Sequence, residues 1–260
     1  MSQSNNGSHA IRGKTRRVLG IDFFTDAIEL SVAQAMQGGL VLAPSGPGLA
    51  VDLVKSQPYR DAVAAADLVL VDSSALVLFW RMFSGETLNR ISGLMFLRVV
   101  LQQEELKREG AMFWVMPSEE DARRNLGWLK AQGFALSPED YCVAPHYGAG
   151  AVADDALLQR IESRKPRVVM IAIGGGVQEQ LGYFLCQRLS YRPGVFCLGA
   201  AIAFLSGGQA KIPAWADTIM LAWLLRVAYS PRRFGSRYWK ARALFPLLWR
   251  YREEMPPLRG

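Results

Sequence analysis

The chain has 260 residues, 50% of them hydrophobic, with three cysteines, two histidines and a formal net charge of +7. This size and apolar content allow one large domain, or one domain with an appendage, and exclude extended disorder outside the ends. No segment reaches the roughly 18 uncharged apolar residues that a membrane span requires, so a chain that does not cross a bilayer is expected.

The first stretch, MSQSNNGSHAIRGKTRR (1–17), is polar and then basic, has no apolar run of signal-peptide length, and reads as a flexible leader containing His9. Apolar runs then predict strands at RVLGID (17–22), GLVLAP (39–44), LVLVD (68–72), MFWVMP (112–117), YCVAP (141–145), VVMIAIG (168–174) and VFCLGA (195–200). Helical spacing falls between them at YRDAVAAA (59–66), LMFLRVVLQQEELKRE (94–109), SEEDARRNLGWLKAQ (118–132), DDALLQRIESR (154–164) and LGYFLCQRL (181–189). The FFTDAIEL continuation of the first strand (23–30) is ambiguous, and GVFCLGAAIAFLSG (194–207) fits a buried strand with a following turn. This alternation predicts an α/β, Rossmann-like fold over 18–210: a parallel sheet with helices on both faces.

The charge is uneven. Residues 1–210 hold 20 Lys and Arg against 20 Asp and Glu, whereas 211–260 hold 10 against Asp217, Glu253 and Glu254. The same tail carries Trp215, Trp223, Tyr229, Phe234, Tyr238, Trp239, Phe245, Trp249 and Tyr251. Interleaved cationic and aromatic groups suit an anionic membrane surface, where arginines meet headgroups and rings sit at the interface. They equally suit nucleic acid, or a packed helix pair with solvated arginines. Cys142, Cys186 and Cys197 lie in or beside apolar runs without CxxC spacing, which suggests neither a zinc site nor a disulfide framework and points to a reducing compartment.

In a parallel sheet, ligands bind beyond the carboxyl ends of the strands. Asp72 ends one such strand, where partial desolvation would make it a competent base; the alternative is a cap for the helix that DSSALVLFW begins. Gly174, Gly175 and Gly176 form a strand-to-helix turn through which an anion can approach the backbone, with Gln178 and Glu179 in the first helical turn beyond it. The turn lacks both GxGxxG spacing and a phosphate-loop lysine, which weakens a dinucleotide-dependent oxidoreductase. His146, in APHYGAG, is a candidate phosphate contact or acid, or a structural strand-end residue. Two histidines and no carboxylate cluster give a metal site little support, and no cofactor is expected.

Several of these stretches together resemble the WecB/TagA/CpsF glycosyltransferases. KPRVVMIAIGGGVQEQ is similar to the family's kPdlllvglGaPkQE, and the segment from CLGAAIAFLSGG through SPRRFGSRYW follows its C-terminal pattern. LAPSGPGLA, ADLVLVDSSAL and RISG match shorter family motifs. The resemblance covers roughly 18–239 and implies inverting, metal-independent transfer of an N-acetylhexosamine-type sugar from a UDP donor to a polyprenyl-diphosphate-linked acceptor, in envelope polysaccharide synthesis. Position by position it implies Asp72 as general base, Gln178 and Glu179 as the donor-site pair, and Ser45 at the family's strand-end asparagine. Lys211, Arg226, Arg232, Arg233 and Arg237 fall where the family presents basic residues to membrane and lipid diphosphate.

The implied organisation is therefore a leader (1–17), a nucleotide-sugar-binding catalytic domain (18–210) and a membrane-associating appendage (211–260), on the cytoplasmic face of the cell membrane. Its partners are then donor, lipid-linked acceptor and anionic lipid rather than nucleic acid, with homo-oligomerisation left open. Four departures from the family pattern stand out: Ser73 for glycine, Gly176-Val177 for Pro-Lys, Leu94-Met95 for Thr-Asp, and Ala222 for glutamate. They imply altered specificity, or a nucleotide-sugar-binding protein that no longer transfers.

Overall fold

The computed structural model describes residues 13–148, 150–209 and 241–259. Its centre is an eight-stranded sheet in the order β1-β2-β4-β3-β8-β7-β5-β6. The strands are β1 (Thr15–Val18), β2 (Ile21–Phe24), β3 (Gly39–Leu42), β4 (Leu68–Leu70), β5 (Met112–Met116), β6 (Tyr141–Val143), β7 (Val168–Ile171) and β8 (Gly194–Cys197). Every pairing is parallel except that of β1 with β2. The predicted α/β Rossmann-like class is what the structure shows, with one antiparallel edge.

The apolar runs form strands buried on both faces because successive side chains point to opposite sides. In β5, Phe113 and Val115 enter one core while Met112, Trp114 and Met116 enter the other. The same alternation divides Leu40 and Leu42 from Val41 in β3, and Val195 and Cys197 from Phe196 in β8. One core is closed by α3 (Gln57–Ala64), α4 (Ser74–Ser84), α7 (Asp155–Arg164), α8 (Val177–Arg188) and α10 (Leu244–Tyr251). The opposite core is closed by α1 (Ile28–Ala35), α5 (Gly93–Val100), α6 (Glu119–Ala131) and α9 (Ala201–Leu205). The remaining helix, α2 (Leu53–Lys55), extends a π-helical turn at Gly48–Asp52. Gly182 lets α8 approach the sheet closely: a Cβ there would stand 2.6 Å from Cys197 Sγ and 2.9 Å from Leu40 Cδ1.

The structure refines the sequence reading in three places. RVLGID is a hairpin, since the chain turns at Leu19 and Gly20 and Ile21 pairs back with Val18. The strand thus begins at Thr15, inside the stretch expected to be a leader. The long helix predicted at 94–109 is broken: α5 ends at Val100, Gln103 is extended with ψ 110°, and a 3-10 turn follows at Glu104–Lys107. That break allows Leu106 to be buried beneath the sheet's helical layer and Lys107 to accept from the Ala135 N–H at 2.8 Å. GVFCLGAAIAFLSG continues past its turn into the short helix α9.

The last described residues belong to the same core as the sheet. Leu244, Leu247 and Leu248 of α10 are buried among sheet and helix residues. The backbone N–H groups of Leu19 and Gly20 donate to the carbonyls of Arg252 and Glu253 at 2.7 and 2.8 Å, and that of Arg259 donates to Val54 at 2.7 Å. Replacement of Leu248 by alanine removes a fully buried side chain, and urea titration is expected to show a loss of about 2–5 kcal/mol in unfolding free energy. A cooperative transition that moves by less than about 1 kcal/mol would show α10 to be only loosely docked.

Candidate active site

The carboxyl ends of β4, β3, β8 and β7 lie side by side, and the residues that follow them share one edge of the sheet. Adjacent strands are about 4.8 Å apart, so the ends of β4 and β8 are separated by about 10 Å. Within three such spacings, about 14 Å, stand Asp72 and Ser73 after β4, Ser45 after β3, Gly199 after β8 and Gly174–Gly176 after β7.

Asp72 is half-buried. It does not cap the helix beside it: Ser73 does, with its Oγ accepting from the Leu76 N–H at 3.2 Å. The Asp72 carboxylate turns to a different helix, where Oδ1 accepts from the N–H of Gly93, the first residue of α5, at 2.9 Å. The free N–H groups at a helix start favour a negative charge. Gly93 itself lies against the neighbouring strand ends, since a Cβ there would be 3.4 Å from Ala43 Cβ and 3.5 Å from the Leu198 carbonyl oxygen. Asp72 is thus turned toward the ends of β3 and β8. Arg90 Nε donates to the Asp72 carbonyl oxygen at 2.9 Å and brings a guanidinium beside it. The sequence reading passed over Arg90, although it opens the RISG motif that positions Gly93.

The glycine turn is exposed at Gly174 and Gly175. Gly176 has φ 91°, a conformation that favours glycine, and its N–H donates to Glu179 Oε2 at 2.7 Å. Glu179 is the third residue of α8, so this is the carboxylate half of a capping box. Gln178 Nε2 donates to Glu179 Oε1 at 3.2 Å, and Gln178 Oε1 accepts from the Gly199 N–H at 2.7 Å. Gln178 and Glu179 are only 3% and 1% exposed, so both side chains lie beneath the turn with their polar atoms engaged there. Ser45 is near: a Cβ on Gly175 would lie 3.8 Å from its Oγ, which accepts from the Gly48 N–H at 3.3 Å.

Burial raises the Glu179 carboxyl to about 7, against a usual 4.5, with the nearby Asp52 carboxylate acting in the same direction. The bonds from Gln178 and Gly176 oppose that rise without cancelling it. Tyr59 lies in the same buried group, its hydroxyl without a hydrogen-bond partner and its acidity suppressed by burial, Glu179 and Asp52. Asp52 and Tyr59 carry no motif, and only the fold brings them under the glycine turn. His146 is exposed after the edge strand β6, with β5 between it and β7, so the strand order does not place it among these groups. Lys211, Arg226, Arg232, Arg233 and Arg237 lie outside the described residues. The three thiols are unbridged; burial pushes Cys142 up to about 11 and Cys186 to about 12. Neither is suited to nucleophilic work at neutral pH.

A doubly covered α/β sheet with a carboxylate and a glycine turn at one carboxyl edge defines a Rossmann-like protein, a class in which ligands bind at that edge. The sequence pattern described as the Glycosyl transferase WecG/TagA/CpsF family matches residues 16–258, nearly the whole chain, and the protein belongs to that family. Its members are glycosyltransferases of envelope polysaccharide synthesis. No individual curated protein matches the chain.

The raised Glu179 value fixes a direction for stability. Because the fold holds the neutral acid more favourably than the unfolded chain does, the native state loses stability as pH rises from about 4.5 through about 7. Relative to Glu179→Gln, which cannot ionise, the wild-type protein is expected to lose about 2–3 kcal/mol between pH 5 and pH 8. Urea titrations at the two pH values measure the difference; parallel behaviour of the two proteins would contradict it.

Proposed function

We propose that the protein transfers an N-acetylhexosamine-type sugar, with inversion and without a metal, from a UDP donor to a polyprenyl-diphosphate-linked acceptor. The observation that carries this reading is the Asp72 carboxylate, held by the Gly93 N–H at the same sheet edge as the exposed glycine turn. With Oδ1 bonded to Gly93, Oδ2 is the oxygen that accepts the proton of the acceptor hydroxyl. The hydroxyl oxygen forms its bond to the anomeric carbon as the bond from that carbon to the diphosphate oxygen breaks, and the electron pair leaves with UDP. The backbone of Gly174 and Gly175 is open to the departing diphosphate, with Arg90 as a cation near the base. Ser45 stands between base and turn, within reach of the sugar or phosphate. Arginines of 211–240 would complete charge neutralisation, as the family resemblance implies.

No described helix is long and apolar enough to cross a membrane. Peripheral association with the inner face of the cell membrane is supported instead by the surface that α4 and α10 share. Phe79 and Phe83 of α4 meet Phe245 at 5.4 and 4.8 Å, and Phe83 meets Trp249 at 5.4 Å, all edge-on. This ladder holds Leu78, Met82 and Trp249 outward at 59%, 58% and 63% exposure, with the exposed Arg81 and Arg250 on the same helices. Apolar side chains among arginines match a bilayer surface bearing anionic headgroups. The membrane-facing surface in this reading is built from the catalytic core as well as from the tail.

Asp72→Asn tests the chemistry: transfer from UDP-N-acetylhexosamines to a short polyprenyl-diphosphate acceptor is expected to fall by about 10²-fold or more, with UDP binding retained. Unchanged turnover in the folded variant would eliminate the base, and UDP binding without transfer by the wild-type protein would favour a nucleotide-sugar-binding role. For the membrane reading, Met82→Gln with Trp249→Gln is expected to reduce co-sedimentation with phosphatidylglycerol vesicles severalfold, while neutral vesicles bind little of either protein. Equal sedimentation of variant and wild type would remove this patch from the interface.

A further inference from the structure

At Gly176 the chain departs from the family's proline, and the departure has a structural counterpart. The φ of 91° is closed to proline, and the N–H that donates to Glu179 is one that proline lacks. The hydrogen bonds that begin there run from Gly176 N–H to Glu179, from Gln178 to Glu179, and from Gly199 N–H to Gln178. Two backbone N–H groups, on turns that follow neighbouring strands, donate into this chain from its two ends. Gln178 must therefore present its oxygen to Gly199 and its amino group to Glu179. Glu179 must then accept at both oxygens, which the ionised carboxylate does and an amide cannot.

We propose that Glu179 is a positioning residue that locks the glycine turn after β7 to the turn after β8 through Gln178, and does not itself touch the donor. This rests on the reading that the donor diphosphate lies against those two turns. The carboxylate is 1% exposed and faces inward, toward Asp52 of the π-helical turn, Tyr59 of α3 and Cys197 of β8. A residue so placed acts on ligand only through the backbone it holds.

Hydrogen–deuterium exchange of the ligand-free protein tests the lock, followed on peptides that cover the two turns. Glu179→Gln keeps the size of the side chain but offers one acceptor to two donors. It is expected to speed exchange at both turns about tenfold, the effect of losing one buried hydrogen bond. The double variant Gln178→Glu with Glu179→Gln moves the carboxylate to position 178 and restores every donor–acceptor match, so protection should return. Calorimetry with UDP should show about tenfold weaker binding by the single variant. Unchanged exchange in Glu179→Gln, or no recovery in the double variant, overturns the proposal. Weaker UDP binding with unchanged exchange also overturns it, by making Glu179 a ligand contact. If the wild-type protein binds no UDP, the donor reading fails while the exchange comparison still decides the lock.

Discussion

Burial of both faces of a parallel sheet is the constraint on which the rest of this structure depends. A parallel neighbour cannot be reached by a hairpin, so each strand from β2 to β7 is followed by a crossover that packs over one face or the other. All their carboxyl ends therefore open on one edge, where small turn residues replace apolar ones and the backbone becomes accessible. Asp72, Ser45, Gly199 and the glycine turn come from positions spread over more than half the chain, yet they stand within a few strand spacings of each other. The site is a by-product of the covering requirement, sharpened by local capping. Ser73 takes over the start of α4 and leaves the Asp72 carboxylate to meet α5.

The covering requirement is also why the architecture was legible in the sequence. Strands buried on both sides read as uninterrupted apolar runs, and VVMIAIG, MFWVMP and VFCLGA became β7, β5 and β8 with ends displaced by a few residues. The errors fell where tertiary contacts override local pattern. RVLGID reads as one strand because the turn itself carries the buried Leu19 between Val18 and Ile21, so the apolar run continues through the hairpin. The helical spacing of 94–109 continues past Val100 because Leu106 still has to reach the core after the helix has ended. The docking of Leu244 and Leu248 onto the sheet's helical layer could not be inferred from a tail whose composition is basic and aromatic.

The candidate site was legible to a different degree. Asp72 and the three glycines declared themselves by standing at strand ends, where sequence position fixes spatial position. Gln178 and Glu179 were identified as important residues, but their orientation depends on which backbone groups need partners, and sequence does not state that. Asp52 and Tyr59 were invisible, since neither lies at a strand end and a tyrosine among apolar residues looks like core. Their effect is electrostatic. Burial, with the acid of the π-helical turn acting in the same direction, raises the cost of ionising Glu179, and Glu179 and Asp52 in turn suppress the acidity of Tyr59.

The departures from the family pattern can now be weighed against one another. Gly176 in place of proline changes the backbone path and supplies a hydrogen-bond donor, so it alters how the turn is held. Leu94-Met95 in place of Thr-Asp acts at the start of α5, next to the N–H that binds Asp72. Its first turn carries no acidic residue, and Leu94 is buried at 5% exposure. An aspartate there would place a second negative charge beside Asp72, compete for the same helix terminus and oppose the approach of an anionic substrate. With Leu94 and Met95 the first turn adds no charge beside Asp72, which shares the helix terminus with the Ser92 hydroxyl accepting from the Met95 N–H at 3.2 Å. An apolar pair thus stands where the family pattern has a polar one. Under the proposed transfer, a difference of this kind bears on which acceptor sugar fits beside Asp72 rather than on whether a base is present.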